Sequence, residues 1–560
     1  MNITQFLGAL NDNIYKLLVV FFLINLKGIE QGPAILSITG IVFVLPFLLF
    51  SSSSGSLADR FSKRNIIVGT KLLELVIVSS SLAVFLLESQ VGAYIILFLL
   101  ATQSAIFGPS KYGIIPELVE NERIPKANSH LTSFTFLAII IGTFFASFLV
   151  DITGKSFIIA SLFCTALSII GLVMSIFIEY TPPTNKEKKF DFRIWDELRF
   201  AVKTAKEYPL LLTAIMGSSF FLFLGAYIQL NLIPYAVYSL GLTDTQGGYL
   251  FLLTAIGIGS GSLLAGKISG SSVELGIVPL AACGITICCF LLDFLSGHIA
   301  FVLPLILLLG FLGGVYLVPL ESYIQMVSPK EHRGIIVATS NFFSYTGVLI
   351  SSSLLYLNTE VFGFDVDKGF TVIGTITLAA SIVIAFEYFD YVTRLFAMLL
   401  SRAHFKVKAI GKEGLPSTPT LFICHHTAWN DTLLILGNQR RRMHFFIQEE
   451  QPHHSKWIHK IYRVVLKLAF IPSIDPLENN RECLEEMKNC LKNGISVCIF
   501  VENPDVLSEM KKLENSYHLR DLEHAIVPVV IQKEQRKETV AKPNFFNRIR
   551  ISAQISFIQT

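Results

Sequence analysis

Charge, tryptophan and paired cysteine are all scarce in this chain. Of 560 residues only 16% are Asp, Glu, Lys or Arg, and Trp occurs three times. A soluble chain of this length needs more polar surface to face water. The net charge of +3 excludes the strongly basic character expected of a nucleic-acid binder. None of the eight cysteines forms a C-x-x-C pair, so neither a disulfide framework nor a cysteine metal site is expected. Cys164, Cys283, Cys288 and Cys289 lie in apolar runs and are expected to act as small hydrophobes. What the chain has in abundance is hydrophobicity: 52% apolar residues, 46 of them Phe, and a mean hydropathy of +0.58. Lipid is therefore expected to be the solvent for most of it.

These averages conceal a break near residue 400. Before it, apolar runs alternate with short polar loops; after it come nine of the twelve histidines, dense charge and no run long enough to span. A spanning helix needs about 20 mostly apolar residues. Runs of that kind fall near 4–26, 33–51, 66–88, 91–109, 129–150, 156–179, 209–236, 247–267, 274–295, 298–326, 334–357 and 368–389. The fold expected is an all-α membrane domain over 1–390, with six-helix halves at 1–180 and 209–390 and a linker at 181–208. An interfacial connector is expected at 391–410 and an α/β domain at 411–560. The first run lacks a basic leader and contains Asp12 and Lys16, so it is expected to stay as a span rather than be cleaved.

Basic residues set the expected orientation. With both termini cytoplasmic, Arg60, Lys63, Arg64, Lys111, Arg123, Lys126, Lys267, Lys330 and Arg333 fall inside, together with the basic linker. The opposite loops hold only Lys27, Lys155 and Lys368. Ionisable residues within spans cost about 2.5–3.5 kcal/mol each, so they mark candidate pathways or structural ion pairs. Asp12 and Lys16 are spaced i,i+4 and Lys71 and Glu74 i,i+3, so each pair is expected to neutralise itself on one helix face. Asn13 lies beside the first pair, while Asp293 and Glu321 are expected nearer the interfaces.

The halves look like copies. "GSLADRFS" from Gly55 recurs as "GSLLAGKIS" from Gly261, each expected between the second and third helices of its half. "GSLADRFSKR" also resembles the G-x-x-x-D-R-x-x-[KR]-[KR] signature of major facilitator transporters. By that resemblance Gly55 permits a close helix approach and Asp59 pairs with a neighbouring helix end. Arg60 and Arg64 then stay cytoplasmic, and the loop acts as a latch on alternating access. A plain basic stop-transfer loop is the alternative. "QFLGALNDNIYK" from Gln5, "GPSKYGIIPELV" from Gly108, "SGSSVELGIVPL" from Ser269 and "SPKEHRG" from Ser328 resemble the bacterial lysophospholipid transporters. The last two look like the form fused to a glycerolipid acyltransferase and an acyl-acyl-carrier-protein synthetase. This resemblance implies a multi-pass bacterial inner-membrane protein that moves lysophospholipids among membrane lipids.

Beyond residue 400, "TLFICH" (from Thr420), "SVCIFVE" (from Ser496) and "AIVPVVI" (from Ala525) alternate with polar helical patterns, as in an α/β domain. His426 and Asp431 in "HHTAWNDTLLI" have the H-x-x-x-x-D spacing of glycerolipid acyltransferases. A hydroxyl attacking a thioester needs a base, and a histidine oriented by a carboxylate supplies one. "FIPSIDP" and "CIFVEN" follow in the family's order. The family's phosphate-binding glycine and basic residue are replaced, however, in Phe500–Val501–Glu502–Asn503–Pro504–Asp505. Glu502 survives as an acceptor-binding candidate, whereas Asp505 would repel a phosphate and Pro476 replaces the second signature's Arg. Three readings stay open: an active acyltransferase using acyl-ACP or acyl-CoA, one with an altered acceptor site, and a degenerate domain. A membrane-anchored acyltransferase whose helices do not transport is a further alternative. Arg440, Arg441 and Arg442 form a basic cluster, either solvated or facing lipid phosphates or an acidic carrier. His453, His454 and His459 match no metal pattern, and no cofactor motif is found. The chain ends soon after the last expected strand, so any acyl-ACP synthetase is expected as a separate partner.

Overall fold

A computed structural model describes residues 1–28, 31–185, 194–270, 273–410, 419–425, 431–438, 443–446, 480–492, 494–501, 505–508, 525–534 and 551–557. Twelve helices among these are long and apolar enough to cross a membrane. Closed helices satisfy every backbone donor and acceptor internally, which hydrocarbon requires. The first six are α1 (Asn2–Lys27), α2 (Gly32–Arg60), α3 (Lys63–Leu86), α4 (Gln90–Gly113), α5 (Ile124–Ile152) and α6 (Phe157–Ile176). Next comes an amphipathic linker helix, α7 (Ile194–Glu207). The second six are α8 (Leu211–Pro234), α9 (Asp244–Ser269), α10 (Ile277–Phe294), α11 (Ile299–Val327), α12 (Arg333–Tyr356) and α13 (Lys368–Glu387).

Local chemistry sets the ends of these helices. Ser62 caps α3 by accepting from the Asn65 amide at 3.4 Å, and Ser89 caps α4 through the Gly92 amide at 3.1 Å. Thr243 and Gln246 form a reciprocal capping box at the start of α9. The repeated motif lies inside helices rather than in loops, because Gly55 belongs to α2 and Gly261 to α9; only Phe61 and Ser62 interrupt the chain before α3.

Within the second half, α9 and α11 pack through interleaved small residues. A side chain added at Gly257 would meet the Leu307 carbonyl, and one at Gly261 the Phe311 carbonyl. In return, Gly310 faces the Thr254 carbonyl and Gly314 the Ile258 carbonyl. Gly257/Gly261 and Gly310/Gly314 are both spaced by four, so each helix presents a smooth stripe to the other. The copy of the motif in the second half thus serves packing inside that half. The counterpart of Gly55's approach across the halves is Gly266, whose open Cα lies against the Ser129 side chain and the Pro125 carbonyl.

A second compact unit comprises Glu274–Gly276 and Tyr388–Thr560. Its first helix, α14 (Phe389–His404), is followed directly by strand β1 (Phe405–Ile410), so 405–410 belong to a sheet rather than to an interfacial connector. Beyond it lie β2 (Leu421–His425), α15 (Asp431–Asn438), β3 (Met443–Phe446), α16 (Asn480–Lys492), β4 (Ser496–Val501), β5 (Ile526–Glu534) and β6 (Ile551–Phe557). The sheet order is β1-β6-β5-β2-β4-β3, parallel except for the β5–β6 pair. Central β2 is buried on both faces. Phe422 and Cys424 join Phe445, Cys498 and Phe500, while Leu421 packs with Val497, Met487 and Leu491. Gly494, at φ +78, turns the chain from α16 into β4. Glu274 and Arg394 form a buried ion pair within this unit.

The glycine stripe is open to test. Gly261→Val places methyl groups where the Phe311 backbone lies, and one helix must move. We expect a fall in the thermal midpoint of the purified chain in detergent of several degrees or more, against little change for Gly248→Ala, whose Cβ meets open space.

Candidate functional site

Three neighbouring clusters of polar groups lie within the twelve-helix unit. The first is at the loop end. Asp59, in the last turn of α2, is fully buried, and its carboxylate accepts from the backbone amides of Gly334 at 2.6 Å and Ile335 at 3.2 Å. These amides open α12 and have no acceptor within the helix, so the carboxylate meets both free donors and the positive end of the helix dipole. One turn earlier, a Cβ on Gly55 would stand 2.5 Å from Ala338 Cβ and 2.7 Å from the Gly334 carbonyl. Only glycine allows α2 and α12 to approach this closely.

The rest of the motif braces the same end. Lys63 is buried and pairs with Glu117 at 2.5 Å, and Arg333 of α12 lies within electrostatic reach of Glu117 and Asp59. Arg64 donates to the Ile176 carbonyl at 2.9 Å and the Ile178 carbonyl at 3.4 Å, at the negative end of α6. Arg60 is only partly buried and stands over the Phe61 ring, 5.5 Å from its centroid. Further ties between halves gather nearby: Asn128 and Gln325 exchange hydrogen bonds at 3.0 Å, Asn128 also reaches Ser322 at 3.2 Å, and Ser133 donates to the Gly259 carbonyl at 2.9 Å. The loop end is closed.

The second cluster lies inside the first half. Lys71 and Glu74 pair at 2.5 Å, both almost fully buried. Asn11 adds a hydrogen bond to Glu74 at 3.1 Å and Ser168 another at 3.3 Å, and Asn11 also donates to Ser168 at 2.9 Å. The charge is thus neutralised and hydrogen-bonded where α1, α3 and α6 meet, within electrostatic reach of Asp12.

The third cluster faces the seam between halves. Asp12, about 15 Å along α1 at 1.5 Å per residue, does not pair with Lys16 as the i,i+4 spacing predicts. Instead one carboxylate oxygen accepts from Ser104 at 2.8 Å, and the other is buried without a partner among the described residues. Lys16 stands over the Phe43 ring, 4.9 Å from its centroid. Rotation about the helix and competition from α2 and α4 override the local spacing. Asn13 bonds to the Ala9 carbonyl of its own helix at 2.7 Å.

Two residues that sequence reasoning placed elsewhere complete this cluster. Lys111, expected in a loop, lies in the last turn of α4 within electrostatic reach of Asp12 and of Glu321. Glu321, expected near an interface, is in α11, accepts a hydrogen bond from Ser218 of α8 and faces Lys111 across the seam. Tyr345 of α12 stacks on Phe47 of α2 at 4.0 Å and lies within electrostatic reach of Asp12. Lys111 thus lies within electrostatic reach of one carboxylate from each half, and Asp12 lies within reach of Glu74 and Lys71 as well. Asp293 does stand near a helix end, paired with Lys368 at 3.0 Å.

In the second unit, Asp431 is fully buried and opens α15 just beyond β2. His426, Glu502, Pro476, the Arg440–Arg442 cluster and His453, His454 and His459 lie outside the described residues. Asp505 accepts from the Ser508 amide at 3.3 Å and so caps the turn Val506–Ser508. Burial raises the Cys498 thiol well above its ordinary pKa, so it is unreactive at neutral pH. Cys164, Cys288, Cys289, Cys424 and Cys490 are also buried, whereas Cys283 is exposed.

The buried joint generates a prediction with a sign. Lys71→Met leaves Glu74 without its cation and is expected to cost about 3–5 kcal/mol of stability, whereas Lys71→Met/Glu74→Leu recovers most of it. Thermal unfolding of both variants in one detergent checks this. If the double variant is as unstable as the single one, the joint is not the source of the loss.

With this geometry in place, comparison with known proteins is informative. The chain is 28% identical over 369 residues to the lysophospholipid transporter LplT of Cronobacter sakazakii, covering 64% of this chain and 88% of that protein. It is 26% identical over 365 residues to LplT of Klebsiella pneumoniae, covering 64% and 87%. Among solved structures it resembles a bacterial homologue of the iron transporter ferroportin in its outward-facing state, with TM-score 0.56, 15% identity, and 69% and 97% of the two chains covered. It also resembles the E. coli fucose:proton symporter FucP, with TM-score 0.57, 12% identity, and 68% and 96% covered. Residues 1–352 match the Major Facilitator Superfamily, and the chain belongs to that family.

Proposed function

We propose that this protein carries lysophospholipids across a bacterial inner membrane and presents them to its C-terminal unit for reacylation. The observation that carries the transport reading is the seam cluster of Asp12, Lys111 and Glu321, in a chain homologous to lysophospholipid transporters. A zwitterionic headgroup carries one phosphate and one ammonium. Lys111 is placed to attract the former and Asp12 or Glu321 the latter. Because these groups come from both halves, binding a headgroup changes the balance of charge across the surface that must open and close.

The Lys/Arg bias supports a topology with both termini in the cytoplasm, and on that topology the loop end tied by Asp59 faces inward. Asp59 and Gly55 hold that closed end. Asp59→Asn keeps the size of the side chain but gives up the charge on the α12 amides. Uptake of lysophosphatidylethanolamine into proteoliposomes should slow severalfold with insertion unchanged. Asp12→Asn should lower uptake further, by about tenfold or more, because it removes a seam charge rather than a brace. Unaltered uptake by correctly inserted Asp12→Asn protein would remove the seam from the pathway.

Reacylation rests on the H-x-x-x-x-D spacing of His426 and Asp431, supported by the position of Asp431 at the start of α15 beyond a buried parallel strand. His426 takes the proton of the attacking hydroxyl and Asp431 orients the imidazole; the ester C–O bond forms as the C–S bond of an acyl-ACP or acyl-CoA thioester breaks, and the departing thiolate takes the proton from His426. A second reading, a transporter with an inactive appended unit, is favoured by the Glu502–Asp505 segment, where Asp505 caps a turn and no basic residue replaces the family's phosphate ligand. Proteoliposomes with acyl donor inside and labelled lysophosphatidylethanolamine outside separate the two. Coupling predicts diacyl product in the wild type and entry without conversion in His426→Ala. Entry without conversion in both selects the second reading.

A further inference from the structure

The linker helix α7 and the middle of α12 line an open groove of about 510 Å³ whose chemistry the transport reading leaves unused. Its wall carries Arg199, Lys203 and Lys206 from α7, together with the rings of Trp195, Phe342 and Phe343. We propose that this groove binds an anionic bilayer phospholipid, and that the bound lipid holds the two halves together at the loop end.

The three cations are spaced i,i+4,i+7, so they share one face of α7, and all three are exposed. Among the described residues no carboxylate lines the groove with them. Asp196 and Glu207 belong to the same helix but lie outside the lining. Glu197 is buried on the opposite face, where it accepts hydrogen bonds from Ser52 at 2.5 Å and from Ser56 of α2. Helix α7 is thus fastened to the first half by a buried carboxylate while its cations stay free to meet an anion.

The apolar part of the groove selects the kind of anion. Trp195 is 70% exposed, and its ring meets that of Phe342 edge-on at 6.4 Å. An exposed Trp beside Lys and Arg is the arrangement found at the boundary between headgroups and acyl chains. A soluble phosphate would use the cations and leave the rings wet, and an acidic protein would need far more surface than this groove offers. A lipid uses both parts, with its phosphate on Arg199, Lys203 and Lys206 and its first methylenes on the rings.

The regulatory consequence follows from what each wall is attached to. Helix α7 is tied to α2, and α12 is the helix whose amides Asp59 accepts. Helix α7 also packs on the α12 side, Trp195 meeting Phe342 and Phe200 meeting His332 edge-on at 5.0 Å, so it bridges α2 and α12, and parting those two helices must break one side of the bridge. A ligand that binds only the assembled groove shifts the population toward the closed loop end.

The test uses the full chain in nanodiscs of phosphatidylcholine with or without a minor fraction of phosphatidylglycerol. Native mass spectrometry reads retained lipid, and hydrogen exchange reads residues 194–207 and 333–345. Wild type should retain phosphatidylglycerol over phosphatidylcholine and exchange more slowly in both segments when it is present. Each neutralised cation should weaken retention about fivefold, so Arg199→Gln/Lys203→Gln/Lys206→Gln should abolish the preference. Trp195→Ala should weaken it with the charges intact. Lys267→Gln/Lys330→Gln, at the same end but outside the groove, should retain lipid as wild type does, which guards against a general surface-charge effect. Retention unchanged in the triple variant overturns the proposal. So does equal protection by inorganic phosphate in phosphatidylcholine nanodiscs, which would assign the cations to a soluble anion.

Discussion

A charge carried into hydrocarbon must meet an opposite charge or a set of donors, and this requirement organises the twelve-helix unit. Asp59 meets it with the two free amides at the start of α12, which belongs to the other half. The bond has a side effect that lysine or water could not supply. These two bonds exist only while α2 stays against α12, so a local electrostatic interaction becomes a tie between halves. Gly55 makes the approach sterically possible, and Glu197 extends the same logic to the linker helix through Ser52 and Ser56.

The buried charges fall into two kinds, distinguished by how completely they are satisfied. Glu74 receives Lys71, Asn11 and Ser168, all from within one half. Asp12 has one oxygen on Ser104 and another unused among the described residues, and Lys111 lies within electrostatic reach of it and of Glu321 in the opposite half. A partly satisfied carboxylate near the boundary between halves is easier to rearrange than a hydrogen-bonded ion pair within one half.

Pseudo-symmetry shapes this unit without duplicating function. The two glycine-bearing motifs look alike, yet Gly55 packs across the halves and Gly261 packs within one. Gly266 takes over the crossing contact at Ser129. Gly261 and Gly266 are five residues apart, about 140° around α9, so one glycine faces α11 within the half while the other faces α5 across the halves.

The twelve spans, the position of the linker and the strands at Leu421–His425, Ser496–Val501 and Ile526–Glu534 were legible in the sequence, since each depends on hydrophobicity along a continuous stretch. The Lys71–Glu74 pair was legible for a related reason: both residues share a helix face one turn apart. Proximity between helices was not legible. Lys111 looked like a loop cation and Glu321 an interfacial one, and Asp12 looked paired with Lys16. The electrostatic reach of Lys111 to Asp12 and Glu321 depends on how α1, α4 and α11 rotate against each other. Sequence by itself determined which segments enter lipid, because that is a property of each segment's own atoms. Only tertiary structure decided which charges face the seam, because that depends on packing between segments hundreds of residues apart.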